Sequence, residues 1–345
     1  MLALNKLEAL VVTSAPSVRY LSGFSGSNGA MLVEAGAATL FTDPRYQIQA
    51  AEEVDCKVVV ARGVLLGRLM GVARRKRLRR LGFERNRISY QEFYSLSENL
   101  LPTASVEPVA GMIEQLRGVK DPGEIELIRC SMRIAVKAFE QAVRQLRPGM
   151  TESDLAAELD HRMRVGGAEA PAFETIVAAG QRSALPHARP GAARIEAGQL
   201  VLIDMGALAH GYASDMTRML YMGEPPRRVR NLYAAVLEAQ LAAMEAVRAG
   251  VSAAHVDRVA RRVLRGYALD KLFVHSTGHG LGLEIHEHPR LGRNSRDRLE
   301  TGMVVTIEPG VYLEGFGGIR IEDTVVVTSK GAEVLTLLSK DLRAL

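Results

Sequence analysis

Cysteine is nearly absent from this chain: Cys56 and Cys130 lie far apart, with no CxxC pair. That excludes a disulfide framework and a thiolate zinc site, and it predicts two buried apolar residues in a reducing compartment. Nowhere does an uninterrupted apolar run approach the roughly 18 residues that would suggest a membrane span. The first residues, MLALNKLEALVVTS, lack a basic region followed by a long apolar core. Neither a membrane span nor a signal peptide is indicated, and the expected location is cytoplasmic. A surplus of one charge is missing too. The 44 basic and 39 acidic residues leave a net charge of +5, too mild to argue for a nucleic-acid partner. The one dense basic run, Arg74, Arg75, Lys76, Arg77, Arg79 and Arg80, precedes the strand-like LGFE and reads as a solvated helix end. Familiar nucleotide motifs are also wanting. GHGLGLEI is not GxGxxG after a strand, and GFSGSNG has no Lys-Ser/Thr; the latter reads as a hairpin and loop.

What is present is an ordinary globular composition, 47% apolar and 24% charged over 345 residues, enough for two domains at roughly 100–200 residues each. The first part alternates short apolar runs, LEALVVTS, GAMLVEAG, ATLFTD, CKVVVA and RLGFE, with helical stretches at 45–53 and 64–76. This predicts a small α/β domain over residues 1–117. A boundary follows, because Asp121, Pro122 and Glu124 form a helix start: N-cap, first-turn proline and capping-box partner. That helix runs to about residue 146, and a second, 152–165, follows a Thr151 cap. Residues 118–345 then read as one α+β domain with an internal repeat. RPGMTESDLAAELDHRMRVGGA resembles RAGVSAAHVDRVARRVLRGYAL at an offset of 101, and GQLVLIDMGA resembles GMVVTIEPGV at 104. The second match aligns Asp204 with Glu308. At an offset of 107, Asp215-Met216-Thr217 aligns with Glu322-Asp323-Thr324. A pseudo-twofold domain with two carboxylate-bearing hairpins meeting at its centre accounts for this pattern.

Asp204 and Asp215 lie in VLIDMGALAHGYASDMTRMLYM, symmetric about the Ala209–His210 step, and a hairpin centred there places them directly opposite on one face. Like charges so placed repel, and burial aggravates the repulsion. A divalent cation removes it, and His279, Glu308 and Glu322 supply further ligands of the right type. Carboxylates with one imidazole suit Mn²⁺, Co²⁺, Fe²⁺ or Zn²⁺. Two such ions lower the pKa of bound water and polarise a carbonyl, which is hydrolysis without a Ser or Cys nucleophile. VHSTGHGLGLEIHEHP gathers His275, His279, His286 and His288, half of the eight histidines, beside glycines that permit close backbone approach. His275 and His279 are not a zincin pair, since HExxH is lacking. His187 ends an irregular segment in ALPHARP.

Taken together, SALPHARP, VLIDMG, GYASDMTR, STGHGLGLEIHEHP, VVTIEPGVY and GIRIED resemble the metal-dependent peptidases of the pita-bread fold, peptidase family M24. Within it the chain is most similar to the Xaa-Pro aminopeptidases (aminopeptidase P) and the Xaa-Pro dipeptidases (prolidases). VRYLSGFSGSNGAMLV and FTDPRY are similar to that family's creatinase-like N-terminal domain and lean towards aminopeptidase P. The resemblance implies a dinuclear centre, most often manganese, in which Asp215 and Glu322 bridge both ions. Asp204 then completes one site, and His279 with Glu308 the other. It implies that Glu308 is the general base, that His187 and His286 steady the substrate and the tetrahedral intermediate, and that His275 lines the proline-side pocket. It matches Arg320 to an arginine paired with a bridging carboxylate and Tyr312 to a tyrosine behind the ligands. The implied partner is a peptide with proline second, on a homodimer or higher homo-oligomer. Relatives usually have a helix before the first strand, whereas this chain starts almost at once on LEALVVTS, so either that helix is missing or the start is misassigned, and the active site is not expected to depend on it. Alternative readings are a broader aminopeptidase, a creatinase-like amidinohydrolase or a non-catalytic binding relative; the last two lose the ligand set that this chain keeps.

Overall fold

The computed structural model describes residues 1–345, which divide into two compact units, Met1–Arg117 and Gly118–Leu345. In the first unit six strands form one sheet. Their spatial order is Lys57–Val60, Ala37–Thr42, Gly29–Glu34, Ala9–Val12, Arg80–Glu84 and Ser105–Val109. Ala9–Val12 is buried throughout, as a central strand covered on both faces should be. The helix Leu65–Arg75 buries Leu66, Leu69, Met70 and Ala73, one stripe at helical spacing. The basic run begins in its last turn with Arg74 and Arg75, and beyond the helix Lys76 pairs with Glu34 and Arg80 with Glu107. GFSGSNG is no hairpin: the helix Ala15–Ser22 stops at Gly23, whose φ of 78° closes it, and the segment is the loop into Gly29–Glu34. Only a 3₁₀ turn, Ala3–Asn5, precedes the first strand. Cys56 of this unit and Cys130 of the next are free and half-buried, less covered than expected.

The second unit is built twice over. The helix Pro122–Val143 begins with the expected capping box, Asp121 with Glu124, and Glu152–Val165 with a second, Thr151 with Asp154. Glu152–Val165 and Ala253–Gly266 are separated by the same offset of 101 seen in the sequence. The repeat reaches the hydrogen bonds. Arg194 Nη1 donates to Gly149 O at 2.6 Å, and Arg298 Nη1 to Gly250 O at 2.7 Å. Pro122–Val143 and Glu152–Val165 share a core with Val201, Ile203 and Met205, whereas Arg227–Glu245 and Ala253–Gly266 pack with Leu200, Leu202, Val305 and Ile307. Alternation along the strands Leu200–Met205 and Val304–Ile307 therefore sends successive residues to opposite cores. The acidic residues lie where those strands end. No helix is long and apolar enough to cross a membrane.

The hairpin register differs from the expected one by two residues. His210 and Gly211 both have positive φ, 51° and 77°, the signature of a two-residue primed turn centred on the His210–Gly211 step. Asp204 therefore pairs with Thr217, not with Asp215. A shift of two preserves the face, so Asp215 stays on the Asp204 side as a diagonal neighbour. Between them the ladder is interrupted: Ala207 N donates to Ser214 Oγ at 2.9 Å. Gly206 makes this possible, because a Cβ there would stand 1.8 Å from Ser214 O. Backbone on both sides cannot yield. Gly206→Ala is expected to lower stability by more than about 3 kcal/mol, read as a shift in the urea midpoint at unchanged slope.

Candidate metal centre and active site

Four of the five expected ligands come from the ends of the paired strands in the two halves: Asp204 and Asp215 from one, Glu308 and Glu322 from the other. His279 sits in the short strand Gly278–Gly280, pressed so closely on its neighbour that a Cβ on Gly278 would lie 1.9 Å from Thr306 O. Asp215, His279 and Glu322 offer ligand atoms all within 4.8 Å of one another. Glu308 Oε1 and Asp215 Oδ2 each lie 3.5 Å from His279 Nε2. Asp204, Asp215, Glu308 and Glu322 all line one cleft of about 640 Å³, together with His187, His275, His279, His286 and Arg320.

Threonines that the sequence reading passed over hold this cluster. Thr217 Oγ1 donates to Glu322 Oε2 at 2.7 Å, and Thr324 Oγ1 to Asp215 O at 2.7 Å. These two threonines occupy matching positions of the repeat, so each half orients a carboxylate-bearing residue of the other. Thr306 Oγ1 receives the His279 N–H at 3.1 Å and donates to Glu308 Oε1 at 3.3 Å. Their signal in the sequence is the threonine shared by DMT and EDT at the 107 offset.

Arg320 departs from its expected partner. Its Nη2 lies 2.5 Å from Asp204 Oδ2, and neither Asp215 nor Glu322 receives a bond from it. The guanidinium is aimed by its other contacts: Nη1 to Tyr312 Oη at 2.7 Å and to Pro186 O at 3.2 Å, and Nε to Thr217 Oγ1 at 3.1 Å. Thr217, not Arg320, serves Glu322. Tyr312 links this arginine to His275, whose Nε2 is 2.8 Å from the phenol oxygen.

His275 is fixed from a second side by a buried ion pair. Arg261 makes two bonds to Asp257, at 2.8 and 3.1 Å, and donates to Phe273 O and His275 O; Thr277 Oγ1 donates to Asp257 at 2.9 Å. The helix Ala253–Gly266 thus clamps the segment that carries His275. A second buried network, also unanticipated, ties Arg218 and Lys340 to Asp323, next to Glu322.

Crowding of like charge shows in the proton affinities. Burial pushes Asp215 well above the carboxylate range, with Glu322, Asp204 and Glu308 adding to it, and Arg320 relieving it in part. Glu322 is raised in the same sense by burial and then by Glu308 and Asp204. Glu308 is pushed up to about 7, chiefly by burial. His279 is pushed down to about 4, first by burial and next by His286. It is therefore neutral near pH 7. Its Nδ1 lies 3.0 Å from Gly280 O, a pure acceptor, so the proton sits on Nδ1 and Nε2 turns its lone pair to two carboxylates. Nε2 and the two carboxylates thus converge as acceptors on one point, an arrangement that a cation completes. Asp204 Oδ1 is buried with no hydrogen-bond partner, a second place where a cation is called for. The donor set fits divalent metal. His187 and His286 are exposed at the cleft, the His286 ring 4.4 Å from that of His279.

Comparison with known proteins gives one answer at every level. The model of metallopeptidase family M24 matches residues 126–329, and that of the creatinase/prolidase N-terminal domain residues 1–119. The chain is 39% identical over 342 residues to an Xaa-Pro dipeptidase of Pyrococcus furiosus, covering 98% of this chain and 96% of that protein. An X-Pro aminopeptidase from Thermotoga maritima superposes with a TM-score of 0.93 at 37% identity, covering 99% and 98% of the two chains. An Xaa-Pro dipeptidase from Bacillus anthracis reaches 0.96, also at 37% identity, over 99% and 96%.

Proposed function

Because the chain belongs to metallopeptidase family M24, we propose that it is an Xaa-Pro peptidase, cutting the bond between a first residue and a following proline. The observation that carries the hydrolytic reading is the His279 lone pair facing Asp215 and Glu308, with Asp204 Oδ1 unsatisfied beside them. Proline selectivity is supported by the relatives, whose names are those of Xaa-Pro dipeptidases and an X-Pro aminopeptidase.

Two divalent ions, manganese first among the candidates, would be held by Asp204, Asp215, His279, Glu308 and Glu322. When bound they would neutralise the cluster, activate water and polarise the scissile carbonyl. The chain's own groups supply the rest. Glu308 takes a proton from the attacking water and returns it to the proline nitrogen as the carbon–nitrogen bond breaks. His187 and His286 donate to the carbonyl oxygen as it gains charge. His275, pushed down to about 4 by burial, stays neutral and forms the wall against the proline ring, held by Tyr312 and the Asp257–Arg261 clamp. An Xaa-Pro bond has no N–H to offer, so a site built from a flat wall and carbonyl-directed donors accepts it. We place the protein in the cytoplasm, in keeping with two free cysteines, and as a homodimer or larger homo-oligomer.

The test is product analysis. Metal-stripped protein is reloaded with Mn²⁺, Co²⁺ or Zn²⁺ and given Ala-Pro, Ala-Pro-Ala-Ala and Ala-Ala-Ala-Ala together, with products read by mass spectrometry. Release of alanine from the proline peptides alone is expected; cleavage of the all-alanine peptide at an equal rate would replace this reading with a broader aminopeptidase.

A further inference from the structure

Next to the catalytic cleft lies a second cavity, of about 800 Å³, and the two share His275, Ser276 and Arg290. Its walls are strongly basic. Lys271, Arg290, Arg293 and Arg296 line it, all four exposed, and none has a carboxylate within ion-pair distance. The only acidic lining residue, Asp297, is engaged by Ser295 Oγ at 3.0 Å and faces His288 at 3.5 Å. Four unneutralised cations around one concavity focus a positive potential that a net charge of +5 for the whole chain does not foretell. Self-repulsion among them is unrelieved by any partner in the chain, so the cavity is arranged for an anionic ligand.

Position identifies that ligand. The cavity adjoins the cleft at His275, Ser276 and Arg290, which line both, and His275 is the wall assigned to the proline ring. Two residues beyond the proline extend at most about 7 Å, enough to leave the cleft and enter the cavity. We propose that this cavity receives the peptide chain following the proline, and that Arg293, Arg296 and Lys271 make the enzyme prefer acidic residues there. The inference rests on the Xaa-Pro peptidase reading, and deepens it by naming a substrate class: proline-second peptides with aspartate or glutamate downstream.

The experiment compares kcat/KM for Ala-Pro, Ala-Pro-Ala-Ala, Ala-Pro-Glu-Glu and Ala-Pro-Lys-Lys, with the full-length, metal-loaded enzyme. Exposed charge pairs add modest increments each, so Ala-Pro-Glu-Glu is expected to exceed Ala-Pro-Lys-Lys by about fivefold or more at low salt. That ratio should collapse towards one in about 0.5 M NaCl, where screening is nearly complete. Arg293→Glu with Arg296→Glu should reverse the order of the two charged tetrapeptides, a reversal that general damage to the fold cannot produce. Equal rates for the three tetrapeptides, a preference unchanged by the charge reversal, or cleavage of Ala-Pro alone would each overturn the cavity assignment and leave the Xaa-Pro reading standing. Failure to cut any proline peptide would instead remove the reading on which it rests.

Discussion

Asn in place of Asp215 is expected to abolish divalent-metal binding and peptidase activity together, while the protein stays folded. Asp215 is 5% exposed, lies 3.5 Å from His279 Nε2, and shares its surroundings with Glu322, Asp204 and Glu308. The amide keeps the shape of the acid and removes its charge. It also keeps the bond from Thr324 Oγ1, which goes to the Asp215 carbonyl and not to its side chain. The hairpin therefore survives, and metal-free Asp215→Asn should melt above metal-free wild type, since one of the repelling carboxylates is gone. Loss of the metal's several kcal/mol of transition-state stabilisation corresponds to at least about 10³-fold in kcat/KM. Metal content by mass spectrometry, melting temperature and activity form the readout. His286→Ala is the contrast: an exposed ring outside the ligand cluster, expected to cost roughly 10²–10³ in turnover with metal content unchanged. Full activity in Asp215→Asn would sink the assignment of the centre.

The metal-free protein should lose stability as pH rises above about 6.5, and the metal-loaded protein should not. Glu308 has a folded value of about 7 against an ordinary 4.5, so the folded state holds its proton the more tightly. Its contribution is fully present below about 4.5 and is lost as pH rises through about 7. Asp215 and Glu322, both raised well above their ordinary range, act in the same direction. The histidines oppose this lower down. His279 and His275, at about 4 against 6.5, contribute stability that is present above 6.5 and is lost as pH falls through about 4. The two sets compete between about 4 and 6.5; above that only the carboxylates remain. From pH 6.5 to about 8, Glu308 alone accounts for about 1 kcal/mol. For a unit of this size that is a fall of at least about 3 °C in the melting temperature. Saturating metal should cancel the slope, because the ions take the place of the protons. A metal-free melting temperature that stays level or climbs over this window would show that the carboxylates are not crowded as described.

The chemistry of the site was legible because it is written in residue types at fixed offsets. Asp204 and Glu308, at 104, and Asp215 and Glu322, at 107, mark corresponding strand ends of two similar halves, and a capping box at Asp121 and a cap at Thr151 announce the helices of the first half. Alternation put Leu202 and Asp204 on one face and Ile203 on the other, and the two cores divide in that way. The hairpin register was less legible, since the choice between loops centred one residue apart is made by backbone conformation. His210 accepts a positive φ, and a histidine does not advertise that as glycine does.

By itself, then, the sequence determined which residues gather at the cleft, the two-unit division and the repeated architecture, all of which depend on local pattern and on side-chain type. Tertiary structure alone decided the partners. Arg320 goes to Asp204, Thr217 to Glu322 and Thr324 to Asp215; Arg261 reaches His275; and four unpaired cations close on one cavity beside the cleft. Each of these joins residues distant along the chain, and which of several chemically equivalent donors reaches a given acid is settled by where the packed cores bring the backbone, within a few tenths of an ångström.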